Sequence, residues 1–168
     1  MNRAVATTGQ DLNRVHQAAE ADADRADVLL RLWDIPEGTP AAAVAGMAAA
    51  AADALRSGEA RRLAESLAVP LPVRELGAIV GGLVASWPRE NRDMAVMANF
   101  MAQDVARAAP SRAALLLACR ALRATHTHPP SIAEVLAAVE ASKKACASRA
   151  ALLSRLPRRV AELAHGGE

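Results

Sequence analysis

Aromatic side chains are almost absent from this sequence of 168 residues, which contains no tyrosine, one phenylalanine and two tryptophans. Aromatic and β-branched residues are the types that favour strands, and alanine takes their place along much of the chain. This composition excludes a β-sandwich or β-barrel and predicts an all-α protein. The length suffices for a hydrophobic core, since a domain near 150 residues buries roughly two thirds of its unfolded surface.

Cysteines and long apolar runs are also scarce. Cys119 and Cys146 both fall inside predicted helices, which excludes a secreted disulfide scaffold and indicates free thiols in a reducing compartment. The longest apolar run, residues 41–52, is mostly alanine, and the first residues lack the apolar segment of a signal peptide. We therefore expect a cytoplasmic protein without a membrane partner.

Charge is distributed unevenly along the chain, although the formal net charge is only +2. Residues 107–168 hold ten basic and four acidic side chains, whereas residues 1–40 hold four basic and seven acidic ones. A basic C-terminal third is typical of contact with nucleic acid or with an acidic protein surface, and equally of a solvated helix face.

The spacing of apolar residues predicts a bundle of six or seven helices. Thr39 and Pro40 are typical of a helix N-cap and first turn, and Ser131 with Glu134 matches a capping box. Pro157 is expected to begin a last short helix. The predicted helical segments cover about residues 11–33, 41–56, 59–68, 76–87, 92–107, 110–123 and 131–155.

Residues 69–72, Val-Pro-Leu-Pro, are predicted to form an extended linker, because proline disfavours a helix on both sides. The linker separates an Ala-rich helical region, 1–68, from a helical core, 73–141. A basic helical segment, 142–168, follows. This division into three regions is the predicted domain organisation.

Two patterns predict how the helices pack. The first helix carries an apolar seam between Leu12 and Trp33 at alternating spacings of three and four, which can pack within the chain or pair two copies. Gly77, Gly81 and Gly82 lie in a strongly amphipathic segment, where each costs roughly 1 kcal/mol of helix propensity. We therefore expect another helix to cross closely at these glycines.

The segment after Pro88 carries the only phenylalanine of the chain. Phe100 falls off the apolar stripe of its predicted helix, so it either packs on a second neighbouring helix, which is the preferred interpretation, or anchors a partner. The stripe itself is expected to be core and is formed by Met94, Met97, Ala98, Met101 and Val105.

Motifs for catalysis are missing from the sequence. There is no phosphate-binding loop, and the glycines of residues 77–82 lie inside a predicted helix rather than in a dinucleotide motif. His126 and His128, with Cys119 nearby, form an incomplete zinc set, and a rigid turn beside two prolines is their expected role. Cys119 and Cys146 lie on apolar stripes. We therefore expect a protein that is not an enzyme and holds no cofactor or metal.

Four structural motifs follow one another within residues 76–141. An apolar helix ends in an aromatic-proline pair, a helix with a central aromatic comes next, then a helix started by proline, and finally a Pro-Ser-Ile-Ala-Glu helix start. These motifs stand at Trp87-Pro88, Phe100, 110–123 and Pro130-Ser131-Ile132-Ala133-Glu134, with His128 where an aromatic residue is usual. In this order they resemble the small helical proteins of phages and prophages that load, or inhibit, the replicative helicase.

The resemblance implies a non-enzymatic adaptor in DNA replication whose partner is the hexameric helicase. A terminal segment would then grip the helicase, and residues 143–159 are the candidate because amphipathic helices bind grooves through an apolar stripe with charges at its rim. The candidate partner-binding residues are Lys143, Lys144, Arg149, Arg155, Arg158 and Arg159.

Two other functions remain open. One is a helical DNA-binding module, which would contact the phosphates through Arg112, Arg120 and Arg123 and the basic C-terminal third. The other is an inhibitory phage or host-defence protein that caps a different complex. The sequence pattern does not separate a loader from an inhibitor.

Overall fold

The structure, a computed structural model, describes residues 9–87 and 94–165, and within these ranges it confirms an all-α bundle of seven helices without a β-strand. None of the helices in the described ranges combines the length and apolarity that a membrane crossing needs. A 3₁₀ turn, Arg31–Trp33, follows the first helix. The helices are α1 (Gly9–Leu30), α2 (Ala41–Arg56), α3 (Glu59–Ala68), α4 (Val73–Ala85), α5 (Met94–Arg107), α6 (Arg112–Thr125) and α7 (Ile132–His165).

The helices build two hydrophobic cores. The first, here called the α1–α3 core, is closed by the second half of α7 and the first turn of α6, and it is built largely from alanine and leucine. Small side chains let the helix axes approach closely, so alanine on a buried face is a packing residue. The buried members of this core include Ala26, Leu29, Leu32, Ala51, Ala54, Ala60, Leu63, Leu67, Ala113, Ala114, Cys146, Leu153 and Leu156.

The second core, here called the α4–α6 core, is closed by the first half of α7 and contains larger side chains. The predicted apolar stripe of α4 lies in it, together with Met101 and Val105 of α5, which are fully buried. Met97 and Ala98 are partly buried against it. The side chain of Met94 lies outside the part of the chain that the structure describes. The main buried members are Leu76, Ile79, Val80, Leu83, Val84, Trp87, Leu115, Leu116, Cys119, Leu122, Val135 and Val139.

The helix α7 is common to both cores. Its 34 residues correspond to a length of about 51 Å at the usual rise per residue. Val135 and Val139 lie in the α4–α6 core, whereas Cys146 and Leu153, further along the same helix, lie in the α1–α3 core. The basic segment that follows residue 141 is therefore packed against the N-terminal helices.

A short backbone contact joins the two cores at the linker. The N–H of Leu71 donates to the carbonyl of Pro110 at 2.9 Å, and Pro70 forms an isolated bridge with Ser111. Ser111 is buried, and its hydroxyl accepts the N–H of Ala114 at 3.2 Å, which caps α6. The proposed boundary at residues 69–72 coincides with this junction, while the division into three domains stays a prediction.

The two predicted helix starts have different outcomes. The capping box is confirmed, because the N–H of Ser131 donates to the Glu134 carboxylate at 2.7 Å and the N–H of Glu134 donates to the Ser131 hydroxyl at 3.3 Å. The expected N-cap at Thr39 is wrong. Its hydroxyl instead donates to the carbonyl of Pro36 at 2.6 Å, and Pro40 occupies the cap position of α2 without a side-chain hydrogen bond.

The expectation of a separate last helix from Pro157 is wrong. Pro157 lies inside α7, which continues to His165. Proline in a helix interior removes one backbone hydrogen bond, here the one that the Leu153 carbonyl would accept. Leu156, just before the proline, is fully buried, and Val160 and Leu163, beyond it, pack partly buried against the same core. Apolar burial on both sides of Pro157 thus carries the helix through it.

The close helix crossing expected at the glycines of α4 is also wrong. A Cβ atom added to Gly77, Gly81 or Gly82 would meet no atom of the described residues within 4 Å. The three positions face away from the neighbouring helices, so their small size is not required by packing.

The apolar seam of the first helix packs within the chain from Ala23 onward. Ala23, Ala26, Leu29 and Leu32 are buried. Leu30 and Trp33, which the predicted seam contained in place of Leu29 and Leu32, are only partly buried. The part of the seam between residues 12 and 19 lies outside the described side chains. Pairing of two copies through this helix stays a prediction.

Replacing Pro157 with alanine tests whether α7 is continuous. Pro157→Ala restores the backbone donor to the Leu153 carbonyl, so we expect the free energy of unfolding to rise by about 1–3 kcal/mol. Chemical denaturation of the two purified proteins measures the change. Pro40→Ala is the matched control, because Pro40 precedes α2 and its replacement restores no helical hydrogen bond. A loss of stability in Pro157→Ala would contradict a continuous helix.

Candidate partner-binding surface

The two cysteines are buried and unpaired. Burial raises the pKa of the Cys119 thiol to about 11, against a smaller opposing effect of Arg123. Burial likewise raises the pKa of Cys146, whose thiol also lies beside the Ser111 hydroxyl. A nucleophilic cysteine needs an accessible thiolate at neutral pH, and neither position provides one.

Of the two histidines between α6 and α7, His126 contacts a carboxylate. The Nε2 atom of His126 lies 3.4 Å from Glu134, and the rings of His126 and His128 meet edge to face with centroids 6.3 Å apart. Across the described part of the chain, no group of three or more His, Cys, Asp or Glu side chains is arranged to hold a metal ion. Cys119 is buried in the core and does not join the two histidines.

Arg149, a candidate partner-binding residue, forms an ion pair with its own chain and is partly exposed. Its guanidinium forms two hydrogen bonds with the carboxylate of Asp27, at 2.7 and 3.1 Å. The carboxylate raises the pKa of Arg149 through these hydrogen bonds. A bidentate ion pair of this kind fixes the orientation of both side chains, so Arg149 joins α7 to α1.

The end of α7 is attached to the turn after α1 by Arg159. The Nε atom of Arg159 donates to the carbonyl of Leu32 at 2.9 Å, and the guanidinium lies 5.6 Å from the centre of the Trp33 ring. Glu162 accepts from Arg158 at 2.9 Å within the helix. Both arginines therefore have partners in their own chain.

Two further basic candidates stabilise the region where the cores meet. Lys143 donates to the carbonyl of Ala108 and pairs with Glu140 at 3.0 Å. A cation at a helix C-terminus neutralises the unpaired carbonyls there, and α5 ends at this point. Arg112, proposed for DNA contact, is paired with Glu75 of α4.

The remaining four candidates are exposed: Arg120 and Arg123 on α6, and Lys144 and Arg155 on α7. The structure records no salt bridge for them among the described residues. Lys144 and Arg155 are eleven residues apart, which is about three helical turns and places both on one face of α7. The apolar stripe of the same segment is buried, so residues 143–159 offer a partner only their polar outer face.

Among the described side chains of α5, the large apolar ones left exposed are Val96 and Phe100. They are 56% and 55% exposed, and their spacing of four residues makes them neighbours on the helix surface. We name this pair the α5 surface. The preferred expectation that Phe100 packs on a second helix is wrong, because α5 turns its Met101 face inward. In the sequence, the exposure of Phe100 was indicated by its position off the apolar stripe of the predicted helix.

A groove between α3 and α7, with a volume of about 430 Å³, was not indicated by any sequence motif. Ala60, Ala64, Ala68 and Ala150 line it, together with Val69, which is 59% exposed. Arg61 and Glu65 on its rim are paired with each other at 2.9 Å. The alanines at positions 60, 64 and 68 were the only trace of it in the sequence.

Comparison of the chain with protein-family models, curated proteins and solved structures found no match. The fold and the α5 surface therefore rest on the physical description given above, and no family is assigned.

The Arg149–Asp27 pair should contribute to folding rather than to partner contact. We expect Arg149→Ala to lower the free energy of unfolding by about 0.5–1 kcal/mol, since both side chains remain partly exposed to water. A double-mutant cycle with Asp27→Ala should show that the two losses are not additive. The matched control is Lys144→Ala, which removes an exposed cation from the same helix. Equal effects of Arg149→Ala and Lys144→Ala would contradict the assignment.

Both thiols should resist alkylation in the native protein. Because burial holds Cys119 and Cys146 in the protonated form, we expect iodoacetamide at pH 7.5 to label them at least about 10-fold more slowly than in denaturant. Mass spectrometry at timed intervals measures the rates. Rapid native labelling at either cysteine would indicate an accessible thiolate and reopen the question of a reactive thiol.

Proposed function

We propose that this chain is a non-enzymatic helical adaptor that binds a replicative DNA helicase and helps to load or inhibit it. The observation that carries the proposal is the exposed Phe100, beside Val96, in the segment whose motifs resemble helicase loaders and their inhibitors. Aromatic residues dominate the energetics of many protein interfaces, and an isolated exposed phenylalanine gains most from being covered.

The α5 surface is presented on a rigid support. Met101 and Val105 on the opposite side of the helix are fully buried in the α4–α6 core. Lys143 holds the end of the helix by donating to the carbonyl of Ala108. A binding residue on a packed helix loses little conformational entropy when a partner covers it, which supports affinity.

Exposed cations are available to assist the encounter. Arg120, Arg123, Lys144 and Arg155 are exposed on α6 and α7, and charges at the rim of an interface act mainly on the association rate. This proposal transfers the apolar contact from residues 143–159 to α5. The basic residues of that segment keep a steering role.

The binding affinity for purified replicative helicase of the native host, or of the infecting phage, tests the proposal. We expect Phe100→Ala to weaken binding by about 10- to 100-fold, the effect of losing one aromatic anchor. Val73→Ala is the matched control, since Val73 on α4 is 71% exposed and should leave the affinity unchanged. Calorimetry or surface plasmon resonance measures the dissociation constants.

An unchanged affinity in Phe100→Ala would remove the α5 surface from the interface. Capture of a different complex, with no affinity for helicase, would favour the inhibitor that caps another assembly. Loading and inhibition are then separated by the helicase activity measured in the presence of the adaptor.

Direct DNA binding is the second candidate, because Arg120 and Arg123 project from one helix without a salt bridge among the described residues. Their spacing of three places them on the same side of α6. If DNA is the partner, the affinity should fall steeply with salt as phosphate counterions are released. The pair Arg120→Ala and Arg123→Ala would then reduce the salt dependence, and Phe100→Ala would not.

A further inference from the structure

The groove between α3 and α7 opens onto packed apolar residues. Three alanines of α3, at spacings of four residues, line it from one helix, and Ala150, Leu153 and Pro157 of α7 line it from the other. Ala60, Ala150 and Leu153 are no more than 9% exposed, and all three belong to the α1–α3 core. The bottom of the groove is therefore a firm apolar surface.

The α7 wall of the groove contains a backbone carbonyl without its helical donor. In an α-helix the carbonyl of residue 153 accepts the N–H of residue 157, and proline has no N–H. This carbonyl lies on the helix surface between residues 153 and 157, and the side chains of both line the groove. The Leu153 carbonyl is therefore an acceptor at the wall of the groove, and the regular hydrogen bonds of α7 do not supply its donor.

The polar side chains that line the groove make other hydrogen bonds. The hydroxyl of Ser154 donates to the Ala150 carbonyl at 2.9 Å. The Nε atom of Arg61 donates to the carboxylate of Glu65, also at 2.9 Å. An occupant that covered the Leu153 carbonyl without a donor would remove it from water at a cost in free energy. An occupant that brings a donor avoids this cost.

The size and charge of the groove indicate the class of molecule that fits it. Its volume of about 430 Å³ lies within the range of roughly 300–1,000 Å³ that is typical of small-molecule sites. Such sites are mainly apolar and contain a few polar groups that fix the orientation of the ligand. The two charges on the rim, Arg61 and Glu65, are paired with each other, so the rim favours neither an anion nor a cation.

We propose that this groove binds a small, uncharged, mainly apolar molecule that carries one N–H or O–H donor, which the Leu153 carbonyl accepts. The apolar body of the ligand covers the alanines of α3 and α7. Pro157 determines the specificity, because its ring leaves the carbonyl free for the ligand. The proposal is independent of the helicase binding proposed above, since the α5 surface lies on a helix of the other core.

Indole and 1-methylindole are matched probes of the groove, because they share a bicyclic apolar body and only indole has an N–H. Methyl NMR of the full chain, labelled at valine and leucine, measures both dissociation constants from the shifts of Val69 and Leu55, which line the groove. We expect indole to bind about 5-fold more tightly, the effect of one neutral hydrogen bond. Val96 is exposed outside the groove, so its methyl signals should stay constant and serve as the internal reference.

The variant Pro157→Ala tests the role of the carbonyl. It gives the Leu153 carbonyl a helical donor, and we expect it to stabilise the fold rather than disrupt it. Loss of the proline ring affects both probes alike, so the ratio of the two dissociation constants isolates the hydrogen bond. We expect the preference for indole to disappear in Pro157→Ala. Pro40→Ala, the matched control, should keep it.

Four results would overturn the proposal. Unchanged Val69 and Leu55 signals in excess indole would mean that the groove is not a binding site. Equal shifts at Val96 would mean that indole associates with exposed apolar residues in general. Equal affinities of the two probes for the natural sequence would mean that no donor is recognised. A preference for indole that persists in Pro157→Ala would assign the hydrogen bond to a different acceptor.

Discussion

The fold depends on one helix that is buried along both of its halves. α7 closes the α4–α6 core with Val135 and Val139 and the α1–α3 core with Cys146, Leu153 and neighbouring residues. Neither core is complete without it, so the two groups of helices are stabilised together. The backbone contact between Leu71 and Pro110 adds a second connection near the middle of the molecule. The continuity of α7 through Pro157 agrees with this arrangement, since apolar side chains on both sides of the proline pack in the same core.

Much of the basic character of the C-terminal third is used inside the molecule. Arg149 and Arg159 join α7 to the first helix and the turn that follows it, and Lys143 closes the end of α5. A count of charges along the chain does not distinguish cations that are paired within the chain from cations that are available to a partner. The distinction depends on which acidic side chains and carbonyls the folding of the helices brings near. Among the described residues, the basic candidates that are exposed and have no salt bridge are Arg120, Arg123, Lys144 and Arg155.

The helices could be predicted from the sequence because apolar periodicity and capping residues are local signals. The bounds of α2 and α3 agree with the prediction, and the capping box of Ser131 and Glu134 is present. Errors arose where a tertiary contact decides the outcome. In the sequence, Pro157 indicates a helix start, and only the burial of Leu156 shows that the helix continues. The glycines of α4 likewise indicate a close helix crossing, and only the positions of the neighbouring helices show that there is none at these residues. For the α5 surface, the sequence indicated that Phe100 was unusual, but only its exposure distinguishes a second packing contact from an open one.

An uninterrupted helix shared by two cores fixes an angle between them as well as a distance. Residues 140–145 separate Val139 in one core from Cys146 in the other. Insertion of a single residue in this stretch would turn everything after it by about 100° and move it by about 1.5 Å. The second apolar stripe would then face water while the first stayed in place. Substitutions on the exposed positions of this stretch leave the register intact, whereas a change in its length does not. The number of residues between the two cores is thus as strongly constrained as the identity of any residue within them.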